Sequence, residues 1–183
     1  MSKRYSMTLY LTGATAARTG DEMSGPALLL VGLSVTGSAS AASALLSAIT
    51  VSAAVGGPVF GALLDRAARP GRLLAGALAV YCAALLVILL SLGRLPLPVV
   101  LATAVCGGLL GPALAGGWTS QLPWVAAQED LPRANALDAL TFNTASLAGP
   151  ALAGAVAMTA GASVSVVVSL ALIALALPAD GDP

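Results

Sequence analysis

Apolar residues gather into six long stretches, at 7–33, 41–64, 73–92, 97–120, 135–158 and 162–178. An α-helix needs ~20 such residues to cross the hydrocarbon core of a bilayer. Between the stretches lie Thr36-Gly37-Ser38, Arg69-Pro70-Gly71, Gly93-Arg94-Leu95-Pro96, the segment from Gln128 to Arg133, and Gly161. Each break contains residues that favour turns. The pattern predicts an all-α membrane protein, a single bundle of six transmembrane helices over residues 1–183. A closed barrel would need short alternating strands, whereas these runs are long and rich in Ala, Leu and Gly.

Composition agrees with lipid as the solvent. The chain is 58% hydrophobic and 9% charged, with a mean hydropathy of +0.94. A soluble domain carries about 25% charged residues. Net charge is zero, so nothing draws the chain to nucleic acid. Histidine is absent, which excludes Ser-His, Cys-His and His-metal chemistry. The lone lysine, Lys3, lies outside the spans and leaves no Ser-Lys pair. No enzyme activity, cofactor or metal is expected. Cys82 and Cys106 fall within apolar spans and read as small hydrophobes.

Basic residues set the direction. With the N-terminus inside, the cytoplasmic side holds Lys3, Arg4, Arg66, Arg69, Arg72 and Arg133, and the outside holds Arg94. That bias predicts a multi-pass protein of the plasma membrane with both termini cytoplasmic. Spans three and six are the most apolar and are expected to face lipid. Spans one, four and five carry polar groups, which at membrane depth face a bundle interior or a wet cavity. A cavity lined by those three is expected, with help from Ser43, Ser47 and Thr50 of span two.

Span one carries the densest chemistry. Thr8, Thr12, Thr15, Thr19 and Glu22 share one helical face. Arg18 precedes Asp21 by three residues and Glu22 by four, so it can reach either acid across one turn. One arginine and two acids leave one acid without a dedicated partner, a candidate proton carrier; the alternative is an internal salt-bridge knot. Gly25-Pro26 can kink the same span. GxxxG spacings at Gly57/Gly61 and Gly107/Gly111 suit close helix packing. Trp118 and Trp124, at the end of span four, read as interfacial anchors. Asn135, Asp138, Thr141 and Asn143 open span five, with Asp138 placed to cap the helix start or close an inner gate.

Three segments carry a resemblance. The loop Gly61-Ala-Leu-Leu-Asp65-Arg66-Ala-Ala-Arg69, continued by Arg72, matches a G-x-L-x-D-R-x-x-R-type signature. Gly149-Pro150 to Gly154 is similar to an antiporter motif of helix five, with Ala145 and Ala153 replacing two glycines. Arg18-Thr19-Gly20-Asp21 resembles an element of helix one. Together they resemble the N-terminal six-helix half of a major facilitator superfamily transporter, in particular the bacterial efflux members.

The resemblance implies secondary transport by alternating access, exporting small organic or drug-like molecules and coupled to protons. It makes Arg18, Asp21, Glu22, Thr15 and Asn143 cavity or proton-coupling candidates, and Gly61, Asp65, Arg66, Arg69 and Arg72 a cytoplasmic gate loop. The bland alternative for those arginines is topological anchoring in the headgroups. Proton-coupled members often carry an arginine in helix four, and residues 99–121 hold none; Arg18 would supply the embedded positive charge instead. Members usually have two six-helix halves, so the expected partners are lipid, a small-molecule substrate, and either a C-terminal half or a second copy. The competing expectation is a non-transporting six-helix module, or a fragment that needs a partner half.

Overall fold

The computed structural model describes residues 3–176, without the side chains of residues 3–6, Pro70, Leu114, Ala115 and Trp124. Outside the described residues lie the last two positions of span six, the C-terminal tail, the Lys3 and Arg4 side chains and the Trp124 anchor. Every described element is helical. The order is α1 (Lys3–Thr36), α2 (Ala39–Arg66), α3 (Pro70–Ser91), α4 (Leu97–Gly108), α5 (Pro112–Thr119), α6 (Leu122–Val125), a 3-10 turn (Gln128–Asp130), α7 (Leu131–Ala160) and α8 (Ala162–Leu175). Helix therefore occupies most of the described part of all six apolar stretches. By length and apolarity alone, Ala39–Arg66 and Gly71–Ser91 suffice to cross a bilayer. α4 and α8 are shorter, and α1 and α7 are longer but carry charges.

The ends follow local chemistry. Gly37 (φ 64°) and Gly161 (φ 103°) turn the chain between α1 and α2 and between α7 and α8, in a region that side-chain-bearing residues avoid. The Ser38 hydroxyl accepts from the Ala41 amide and caps α2. α3 begins on Pro70 and α5 on Pro112, where a missing N–H costs nothing.

The fourth stretch is two helices rather than one. Pro112 cannot donate to the carbonyl four residues back, and the chain crosses Leu109–Gly111 in tight turns, Leu110 bonding to Gly107 and Gly111 to Gly108. The break coincides with a close crossing of α2. A Cβ on Gly108 would strike the Ile49 carbonyl and Ser52 Oγ, and one on Gly56 would strike the Leu109 carbonyl. Small-residue packing thus holds for the second predicted pair, with a Cβ on Gly107 falling 2.8 Å from Ala84 Cβ and one on Gly111 3.6 Å from Ala53 Cβ, and is tightest at Gly56 and Gly108. Gly61 meets nothing within 4 Å, and Gly57 touches only Pro112 at 3.9 Å.

α1 is the central helix, packed chiefly on α7 and α8, while α2 packs on α4. Gly20 lets α8 close in: a Cβ there would lie 2.8 Å from the Ser169 carbonyl oxygen, and the Ser169 hydroxyl donates to the Gly20 carbonyl at 2.6 Å. Spans three and six are not purely peripheral. α3 buries Leu74, Leu78, Tyr81, Leu85 and Ile88, and α8 buries Ser165, Val166, Ser169 and Ile173, while Val80, Val87, Val167 and Leu175 point outward. Each has one packed and one exposed face.

Candidate functional site

Two polar assemblies lie inside the bundle, and both begin on α1. The first is built around Arg18, whose residue is 2% exposed. Its guanidinium does not pair with Asp21 or Glu22, one turn away. Instead Nη1 meets Asp138 Oδ1 at 2.8 Å and Nη2 meets Oδ2 at 3.1 Å. This is a two-pronged pair between α1 and α7. Thr119 of α5 donates to Asp138 Oδ2 at 2.8 Å and accepts from Arg18 Nη2 at 2.9 Å. Arg18 Nη1 also reaches the Thr141 hydroxyl and the Asp138 carbonyl. The Tyr10 hydroxyl sits 2.8 Å from both Asp138 Oδ1 and the Trp118 carbonyl, so it donates to one at a time. The Phe142 ring lies 5.6 Å from the guanidinium carbon, within cation–π range.

The physical reason is geometric. A same-helix pair is worth a few tenths of a kcal/mol and leaves the guanidinium fork half used. A carboxylate facing it from another helix accepts two parallel charge-assisted bonds. Asp138 therefore neither caps α7, which starts two turns earlier at Leu131, nor lies at an open mouth; it is 5% exposed. Trp118 is likewise not an interfacial anchor. It is 7% exposed, edge-on to Tyr10 at 5.8 Å, with its ring against Gly13.

The second assembly is a cleft of about 360 Å³. α1 contributes Asp21, Glu22, Ser24 and Pro26, α2 contributes Leu46, Ile49 and Thr50, α3 contributes Tyr81, and the α4–α5 break contributes Gly108, Gly111 and Pro112. The Tyr81 hydroxyl donates to Asp21 Oδ1 at 2.9 Å. Ser24 Oγ lies 2.8 Å from that hydroxyl and 2.7 Å from the Asp21 carbonyl, so one serine proton serves two acceptors in turn. Spans one, two and four thus line the cleft, but of the expected span-two residues Thr50 does so and Ser43 and Ser47 do not, and α7 contributes nothing to it. Its place is taken by Tyr81, which the apolar look of span three hid.

The other candidates are dispersed. Thr15 turns its hydroxyl back to the Leu11 carbonyl at 2.6 Å and is not in the cleft. Asn143 is exposed on α7. Gly149 sits against α1, where a Cβ would fall 2.5 Å from Glu22 Cβ. The first glycine of the helix-five motif therefore supports one of the cleft acids from behind. Pro150 lies exposed within α7, and Gly154 has open space around it. Gly61, Asp65, Arg66, Arg69 and Arg72 are exposed around the α2–α3 turn, far along the chain from the cleft residues of either helix. Tyr81, Thr119 and the partnership of Asp138 with Arg18 escaped the sequence reading. An aromatic hydroxyl in an otherwise apolar span was the available signal for the first.

Compared with known families, residues 10–180 match the family model described as Major Facilitator Superfamily. No curated protein matches the chain.

Proposed function

Because the chain belongs to the major facilitator superfamily, a family of membrane transporters rather than enzymes, we propose that it forms one six-helix half of a secondary transporter. In this reading all six stretches cross the plasma membrane, both termini are cytoplasmic, and the half moves small organic molecules outward by alternating access. The observation that carries the proposal is the cleft at the α4–α5 break. Transporter sites form where helices are interrupted near the membrane midplane, and here the interruption opens onto the two acids of α1.

The two assemblies then have separate duties. The Arg18–Asp138 pair ties α1, α5 and α7 into one body, while Asp21 and Glu22 exchange with the cleft. Protonation of either acid, with the Tyr81 hydroxyl beside Asp21 as a relay for that one, would couple transport to a proton gradient. Asp65, Arg66 and Arg69 would hold the cytoplasmic gate against the facing half. Ser43, Ser47, Asn143 and Thr144 are exposed at positions inside the proposed spans. Polar groups are unfavourable against lipid, which supports a second six-helix half, from a longer chain or a second copy, covering α2 and α7.

Reconstitution into vesicles with an imposed pH gradient tests the coupling. Asp21→Asn and Glu22→Gln, made singly and together in the complete transporter, should abolish gradient-driven transport. Gradient-driven transport that survives in the double variant refutes it.

A further inference from the structure

The pairing of Arg18 with Asp138 changes the charge of the cleft. On sequence spacing, Arg18 would neutralise Asp21 or Glu22. Its guanidinium instead lies 2.8 Å from Asp138 of α7, and among the described residues none that line the cleft is basic. Two carboxylates thus face a space whose other walls are apolar (Leu46, Ile49, Ala53) or carry only hydroxyls (Thr50, Tyr81).

We propose that this cleft takes a lipophilic organic cation, an amine or onium centre with apolar substituents, and that Glu22 is its principal counter-charge. The proposal rests on the cleft being the translocation site. An anionic ligand would meet like charge at short range in a low-dielectric setting, where the repulsion is strongest. A neutral one would offer the ionised Glu22 carboxylate no counter-charge at membrane depth, so that only its protonated form would tolerate it. A cation with an apolar body satisfies both the acids and the Leu46–Ile49 wall, and about 360 Å³ is within the size range of small-molecule sites. Asp21 and Glu22 differ in readiness. Asp21 Oδ1 is already engaged by Tyr81 at 2.9 Å, whereas no hydrogen bond from the described residues reaches the Glu22 carboxylate. Glu22 is also held in place from behind by the close approach of Gly149.

The test titrates the full chain in detergent, separately, with tetraphenylphosphonium and with tetraphenylborate, ions of nearly the same shape and opposite sign. The cation should bind saturably and the anion should not. Glu22→Gln should weaken cation binding at least about tenfold, as loss of a desolvated charge partner does, and Glu22→Asp should retain most of it. Equal binding of the two ions overturns the proposal without any variant, as does absence of cation binding or an unchanged affinity in a folded Glu22→Gln protein. Counterflow in vesicles separates the two levels. Sign-selective binding without counterflow refutes transport and leaves the cation site standing. Counterflow of neutral or anionic solutes without cation binding refutes the cation site alone.

Discussion

Replacing Asp138 with asparagine keeps the shape of the side chain and removes its charge, leaving the Arg18 guanidinium buried with no carboxylate. Asp138 accepts from Arg18 at 2.8 and 3.1 Å and from Thr119 at 2.8 Å, with Tyr10 at the same distance. Two unit charges about 4 Å apart attract by ~4 kcal/mol at an effective dielectric near 20. Removing one partner of a buried pair typically costs about 3–5 kcal/mol, because the remaining charge stays desolvated. Asp138→Asn should therefore destabilise the folded chain by about 3–5 kcal/mol. Asp21→Asn, which weakens one hydrogen bond from Tyr81, should cost only about 1 kcal/mol. Replacing both charges with apolar residues, as Arg18→Met with Asp138→Leu, should recover most of the loss, since a well-packed apolar pair is often as stable as a buried ion pair. Reversible unfolding by SDS titration, followed by far-UV circular dichroism, gives the ranking. If Asp21→Asn proves the costlier change, Arg18 pairs within its own helix and the three-helix clamp is wrong. If the double replacement is as unstable as Asp138→Asn alone, the cost is packing rather than an orphaned charge.

Two further predictions concern packing and direction. Gly56→Ala and Gly108→Ala push a methyl into backbone at the α2–α4 crossing and should each cost about 1–3 kcal/mol in the same titration. Gly61→Ala and Gly154→Ala meet nothing within 4 Å and should be neutral or stabilising by up to about 1 kcal/mol through helix propensity; the reverse order would refute the crossing. For the proposed orientation, single cysteines at Ala68 and Arg94, in a background with Cys82 and Cys106 replaced by serine, should differ in labelling of intact cells by a membrane-impermeant maleimide. Arg94→Cys should label and Ala68→Cys should not; the opposite pattern inverts the topology.

The positions of the helices were legible because their signals are local. Gly37, Gly161 and the prolines at helix starts mark the boundaries, and the apolar runs fill the space between them. The break in the fourth stretch was written at Gly107-Gly108 and Gly111-Pro112, yet the same residues equally describe a continuous small-residue face. Only the approach of α2, with Ile49 and Ser52 against Gly108, decides between them. The site was harder to read for the same reason. Sequence spacing offers Arg18 two partners on its own helix and cannot represent an acid 120 residues away.

That reassignment bears on more than one contact. A membrane bundle with few charges has little freedom in pairing them, so moving one arginine changes the meaning of every acid near it. With Arg18 tied to Asp138, the residues that seemed to form one motif on α1 divide by duty. Arg18 joins helices, and Asp21 and Glu22 face the cleft. Arg18 and Glu22 lie almost one above the other on α1, so the division comes from the neighbouring helices. α5 and α7 supply the hydroxyls and carboxylate that hold the guanidinium, whereas α3 supplies the tyrosine that holds Asp21. A substitution in α7 at Asp138 would leave the Arg18 charge uncompensated one turn from those acids, and so alter the electrostatics of a cleft that α7 does not line.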